Sequence, residues 1–292
     1  ADVSISGFAE MGIADTNAAN QGFQFHQDID VTFKMSGETD GGLSFGAAVD
    51  LDETTAGTTT SDDHGTTVFI SGGFGTLTMG DTDGAFDKAM IETAIGGSIA
   101  DDHTVHGGYA GNSGLDGKED GQVLRYDYSI NGFGLSASFE QDGNNSTAVT
   151  NDITGLGVTY AMDMGGTAIT LGAGMQDGAA NIDITGFSVK AAMTNGITLI
   201  ANTSDESTGA SSSIKRTGFG VGYTMDALTV GFNWGEVDST TNADDKDGYG
   251  LAVNYDLGGG AVAQLGYSKT DGVGTGATND PSQMSIGLAL SF

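Results

Sequence analysis

The feature that most constrains this chain is a two-residue apolar alternation that runs through almost all of it and stops once, between Asp81 and Gly121. Val3, Ile5, Ala9, Met11 and Ile13 share one face of the first segment, with Ser4, Ser6 and Glu10 on the other. In the next, Phe25, Ile29, Val31, Phe33 and Met35 oppose His26, Asp28, Asp30, Thr32 and Lys34; after a turn at Gly37–Gly42, Leu43, Phe45, Ala47, Val49 and Leu51 oppose Ser44, Asp50 and Asp52. A side-chain period of two is that of a β-strand. Short glycine-bearing connections, at Gly73–Gly75, Asn131–Gly132, Met164–Gly166, Asn195–Gly196 and Leu257–Gly260, alternate with longer polar ones. The count is about sixteen strands, with short turns at one end and long loops at the other. That is the pattern of a transmembrane antiparallel up-and-down β-barrel, all-β and a single domain over residues 1–292. A two-sheet soluble sandwich is the competing fold, but small residues on so many polar faces fit a crowded, curved interior better than open solvent.

The interruption has its own pattern. Phe86, Ala89, Met90 and Thr93 fall at helix-like spacing, followed by a glycine-rich run holding Asp101, Asp102, His103, His106, Asp116, Glu119 and Asp120. A connection this long inside a compact domain usually has a job. Folded into the lumen, it would narrow the barrel.

Composition removes whole classes of function. Nine Lys plus Arg against thirty-nine Asp plus Glu give a net charge of −30, which excludes nucleic acid as a partner because phosphate neutralisation needs clustered cations. No segment reaches the roughly 20 apolar residues of a membrane-spanning helix, a limit that does not touch strands of about 9–11 residues. Cysteine is absent and Pro occurs once, as suits strands that are all interior to a closed sheet. The chain opens on Ala1-Asp2 without an initiator Met, which fits a mature chain whose secretion signal has been removed. GLSFG at Gly42–Gly46 has the GxSxG spacing but runs on into an alternating strand segment instead of a strand-to-helix nucleophile turn, and no triad can be placed from spacing, so the chain is read as not an enzyme. His103 and His106 lack the spacing of a helical zinc pair and are read as solvated loop histidines.

Met284, Ile286, Leu288, Leu290 and Phe292 alternate with small residues up to the terminal aromatic. Such a last strand resembles the assembly signal of bacterial outer-membrane barrels. With it, MSGETDGGLSFGA at Met35–Ala47, TVFISGGFGTLTMGDTDGA at Thr67–Ala85, VLRYDYSINGFGLSAS at Val123–Ser138 and NYDLGGG at Asn254–Gly260 resemble the alphaproteobacterial general porins, the Rhodobacter type. The resemblance implies a sixteen-stranded, water-filled barrel in the outer membrane of a Gram-negative bacterium, assembled as a homotrimer among outer-membrane lipid and lipopolysaccharide. Small hydrophilic solutes would cross it by passive diffusion. It also implies that the third long loop, residues 82–121 here, folds inward as the constriction.

By that analogy Asp81, Asp83, Asp87, Glu92, Asp101 and Asp102 are candidates for the loop side of the constriction, with Lys34 and Arg125 as the cations facing them. The family's opposing basic wall is thin here. Asp28, Asp30, Asp50, Asp52 and Asp127 fall on lumen-side positions with Lys190, so the expectation is an acidic lumen that prefers cations. A passive pore requires no cofactor. Asp101, Asp102, Asp116 and Glu119 are nevertheless a candidate structural calcium site, because clustered carboxylates attract a hard cation. Aromatics near strand ends, among them Phe23, Tyr128, Phe133, Tyr160, Tyr223, Trp234 and Tyr255, would form interfacial girdles, and the early strands near Val68–Met79 are the expected trimer contact. The alternatives are a substrate-selective channel and a non-channel surface or adhesion barrel.

Overall fold

The computed structural model describes residues 1–15, 22–52, 65–119, 121–142, 151–178, 182–209, 212–240, 245–272 and 281–292, with the side chains of Asp52, Asp101 and Thr208 left aside. Its first seven strands are β1 (Asp2–Asp15), β2 (Gln24–Glu38), β3 (Ser44–Asp52), β4 (Thr67–Gly72), β5 (Gly75–Gly80), β6 (Val123–Ile130) and β7 (Phe133–Glu140). Nine more follow: β8 (Ile153–Asp163), β9 (Thr167–Gly178), β10 (Ile182–Met193), β11 (Ile197–Thr208), β12 (Ser213–Met225), β13 (Leu228–Ser239), β14 (Lys246–Gly258), β15 (Ala261–Asp271) and β16 (Ser282–Ser291). Each pairs antiparallel with its sequence neighbour, and β1 pairs with β16 to close a sixteen-stranded barrel. At the seam, Gly7 and Phe292 exchange both backbone hydrogen bonds, at 3.3 and 2.9 Å.

The hairpin turns follow from local chemistry. Asn131 and Gly132 both adopt positive φ, 50° and 85°, the geometry of a turn whose twist matches the strands it joins. The β12–β13 turn at Asp226–Ala227 has no glycine; Asp226 itself takes φ 50°, which a short polar side chain tolerates.

Register separates the two faces. Glu10 pairs with Asp28, Ser4 with Lys34, and Thr32 with Asp50, all facing the interior. The alternate positions carry the outward apolar surface; Val3, Ile5, Phe25, Val68, Phe187 and Tyr255 are all at least half exposed. Aromatics cluster outward at the short-turn ends, where the rings of Phe133 and Tyr160 lie 4.4 Å apart, and towards the long-loop ends, where Phe232 and Tyr249 stack at 6.3 Å beside Trp234. The molecule is inside-out: its apolar surface faces outward, and its buried apolar cluster of Phe86, Met90, Leu115, Ile153 and Ile184 lies inside the barrel, under the third loop.

Candidate functional site: the inward loop and the lumen

The third long connection leaves β5 and returns to β6 along the inner wall. Its helices are short: α1 (Ala85–Ala89) packs on β7, β8 and β9, and α2 (Ile99–Asp102) packs on β1, β15 and β16. The helix-like spacing from Phe86 to Thr93 therefore yields one turn only. Met90 is already extended, with ψ 154°, and serves as the C-cap. Ala85, Phe86 and Ala89 face the wall, while Asp87 and Lys88 point away from it.

What holds the loop is side chains of the wall reaching its backbone. Ser138 accepts from the Ala85 N–H at 2.9 Å, and Ser188 from the Ile91 N–H at 3.0 Å. Asn202 donates to the carbonyls of Ile91 and Ala110, so one amide spans the outgoing and returning arms. Asn254 brackets Gly97, accepting from its N–H and donating to its carbonyl. Glu10 accepts from the Ala100 N–H at 2.8 Å and pairs with His26 at 2.9 Å. Glu140, 2% exposed at the end of β7, accepts from the N–H groups of Gly117, Glu119 and Gly121. Interleaved with these are inward wall glycines, including Gly157, Gly172, Gly220, Gly231 and Gly250, where any Cβ would overlap a loop carbonyl oxygen. Glycine is needed there for close approach of two backbones.

The carboxylates that sequence places on the loop split by environment. Asp81 accepts from the Gly65 N–H at 2.9 Å at the loop's root, and Asp83 is exposed on the way to α1. Glu92 is exposed and ties the arms together, accepting from the Tyr109 hydroxyl at 3.2 Å and the Asn112 N–H at 3.1 Å. Burial holds the Tyr109 hydroxyl protonated, its pKa pushed upward, which keeps it a donor. Arg125 is 7% exposed and works as a clamp: Nε binds Asp127 at 2.9 Å, and Nη1 donates to the Thr82 hydroxyl and the Asp83 carbonyl. Lys34 remains exposed on the inner face of β2, and Lys190 faces inward, half-buried, opposite Thr170. Asp28, Asp30 and Asp50 occupy inward positions on β2 and β3, and Asp52 pairs with Asp30 in register.

Of the candidate calcium set, the Asp101 side chain lies outside the described residues and the other three carboxylates fall in two places. Asp102 is engaged locally, accepting from the Thr104 N–H at 3.0 Å beside α2, whereas Asp116 accepts from the Gly84 N–H and from Gln176 of β9, at the other end of the loop. Glu119 lies with Asp116's end, through the Glu140 contact. Among the described residues no group of three or more His, Asp or Glu side chains could hold a metal ion. The histidines also differ from expectation: His103 and His106 are buried, 4% and 6% exposed, and His106 Nε2 meets Asn233 Oδ1 at 2.9 Å with Tyr109 edge-on. They pack the loop onto the wall.

Asp87, on α1, carries a strongly shifted carboxyl. Burial pushes its carboxyl up to about 7, helped by Asp83, Asp116 and Glu92 and opposed by Arg125. A raised carboxyl pKa stabilises the fold while protonated, so this contribution is complete below the unfolded value of 3.8 and is lost as pH rises through about 7. Burial lowers the His106 pKa, which has the opposite sign: its contribution is present above 6.5 and lost as pH falls below it. Thermal unfolding followed from pH 5 to 8 should show Asp87→Asn gaining on the native protein as pH rises. A constant difference between the two across that range would remove Asp87 from the account.

Sequence reasoning passed over two residues. Glu140 has only backbone partners, which leave no trace in a sequence; Lys88 was hidden within the helical spacing of its neighbours.

A barrel of this size with a long loop laid along its inner wall matches known proteins throughout. The family model for Gram-negative porins matches residues 1–275. The porin of Rhodobacter capsulatus is 30% identical over 297 residues, covering 92% of this chain and 95% of that protein. A porin structure refined at 1.8 Å superposes with a TM-score of 0.76 at 26% identity, covering all of both chains. A mutant of the Rhodobacter blastica porin superposes at 0.74 with 19% identity, again over all of both chains, and so shows the fold. With its closed sixteen-stranded barrel and inward third loop, this chain belongs to the Gram-negative porin family, as an alphaproteobacterial outer-membrane channel and not an enzyme.

Proposed function

We propose that this porin passes small hydrophilic solutes and ions by passive diffusion, prefers cations, and works as a homotrimer embedded among outer-membrane lipid and lipopolysaccharide. The observation that carries the ion preference is the inward register of the first three strands, where Asp28, Asp30 and Asp50 stand against Lys34 while Glu10 is paired with His26. Arg125 adds little free positive charge, because Asp127 is bound to it. In a narrow lumen of lowered dielectric, carboxylates raise local cation concentration more than on an open surface. The loop carboxylates Asp83 and Glu92 extend that field across the constriction, and Asp87 joins them as pH rises through about 7.

Strand length supports the trimer. β4 and β5 have six residues each, short of the roughly 9–11 that span a bilayer. Their outward Val68, Ile70, Leu77 and Met79 are exposed and apolar. Lipid alone covers such a sector poorly, and a second copy of the same surface is the natural cover. Planar-bilayer recording tests both claims. Conductance should appear in groups of three steps, with a reversal potential in a salt gradient of cation-selective sign. An anion-selective potential would overturn the preference, and absence of steps would favour the surface-barrel alternative.

A further inference from the structure

Lys88 stands out in a lumen so acidic. It is exposed on α1, makes no ion pair among the described residues, and is carried by a helix whose opposite side is fixed to β7–β9. It lines a recess of about 490 Å³ between α1 and the inner faces of β4–β8. Arg125 lines the same recess, its Nε and Nη1 committed to Asp127 and to the loop. Asp127, ion-paired with Arg125, lines it too, together with the hydroxyls of Thr78, Ser136 and Thr159 and the inward ring of Phe69. Arg125 and Asp127 offset each other there, so the Lys88 ammonium supplies the charge of a hydroxyl-lined pocket beside an aromatic face.

We propose that this recess is a transient binding site for solutes that join a carboxylate to a hydroxylated carbon chain, the chemical class of sugar acids. The Lys88 ammonium takes the carboxylate, the wall hydroxyls exchange bonds with the solute's hydroxyls, and the Phe69 ring covers its C–H face. A cation-preferring pore otherwise repels such anions, and one exposed ammonium held at the constriction gives them a foothold. The inference rests on the aqueous-pore reading; it adds a ligand class to it. A charge-assisted hydrogen bond between ammonium and carboxylate is among the stronger polar contacts available in water-exposed sites.

The test is current through single channels in potassium chloride with sodium gluconate added on one side, and glucose or sodium chloride as controls. Gluconate should produce concentration-dependent current noise or partial block at concentrations where glucose and extra chloride do not. Lys88→Gln should raise the half-blocking concentration roughly tenfold, the weight of one charge-assisted bond, while steps still appear in the same groups. Equal block by glucose would overturn the anionic assignment. Gluconate block unchanged in Lys88→Gln, or no gluconate effect in native channels that conduct normally, would overturn the site. Failure to form steps at all would instead fall on the channel reading, so the two failures are distinguishable. Phe69→Ala, which leaves every charge in place, should weaken gluconate block without altering the reversal potential.

Discussion

Glu140→Ala should lower the stability of the loop-bearing barrel by about 2 kcal/mol, the loss of three hydrogen bonds from half-buried backbone donors to one charged acceptor. The carboxylate at this position is 2% exposed and takes three N–H groups, from Gly117 at 3.0 Å, Glu119 at 2.8 Å and Gly121 at 3.1 Å. These are the last groups of the loop before β6, and removing their common acceptor releases the end of the return arm. The barrel keeps its strand pairing, because the β6–β7 register is backbone to backbone. Two measurements separate the local effect from a global one. Trypsin should cleave after Lys118, which is exposed in the native loop, much faster in Glu140→Ala; β-sheet circular dichroism below the transition should be unchanged. Glu140→Gln retains one acceptor oxygen and should fall between the two. Equal cleavage rates in native and Glu140→Ala protein would show that the three bonds do not hold the arm.

Much of this architecture is legible in the residues. Strand positions and faces follow from period two, since a shift by one residue would expose Asp28, Asp30 and Lys34 to lipid and bring Phe25, Ile29 and Val31 inward. The third loop is legible as the one long break in that period. Its path is not. The alternation identifies an inward glycine at positions 157, 220 and 231 but cannot say that a loop carbonyl lies against each, because that pairing joins residues more than sixty positions apart. For the same reason Asn202 and Asn254 look like ordinary lumen amides until the loop is laid on them. The strand pattern makes Arg125 a facing cation, whereas the fold spends it largely on Asp127 and the loop root. Glycine-rich surroundings predict solvated rings for His103 and His106, yet glycine there serves close packing, and both rings are buried. Nearness in sequence misleads in the opposite way: Asp102 and Asp116, both candidates for calcium, meet different partners, Thr104 and Gly84, as the loop travels along the wall and back.

The glycine wall leads to the largest expected change in conduction. At Gly231 an added Cβ would overlap the carbonyl oxygen of Ile95, and at Gly220 that of Thr93. Neither obstacle can yield by rotating a side chain, since both are backbone, so the outgoing arm must move. The wall strand behind it is held by continuous pairing on both sides, β12 to β13 and β13 to β14, which leaves inward displacement of the loop as the softer response. The arm then enters the remaining aperture. Gly231→Val should therefore reduce single-channel conductance and add flicker as the displaced arm samples positions, and a Gly220→Val, Gly231→Val double variant should do so more strongly. Thermal stability should fall as well, because displacement breaks the Asn254 contacts to Gly97 one strand away. Gly73→Ala is the control, an open position where an added Cβ meets nothing within 4 Å. Conductance in Gly231→Val equal to that of Gly73→Ala would mean the arm accommodates a Cβ in place, and that close backbone approach is not what the wall glycines provide. An increase in conductance would mean the arm leaves the lumen altogether, placing the strength of its anchoring at Asn202 and Asn254 below that of a single steric overlap.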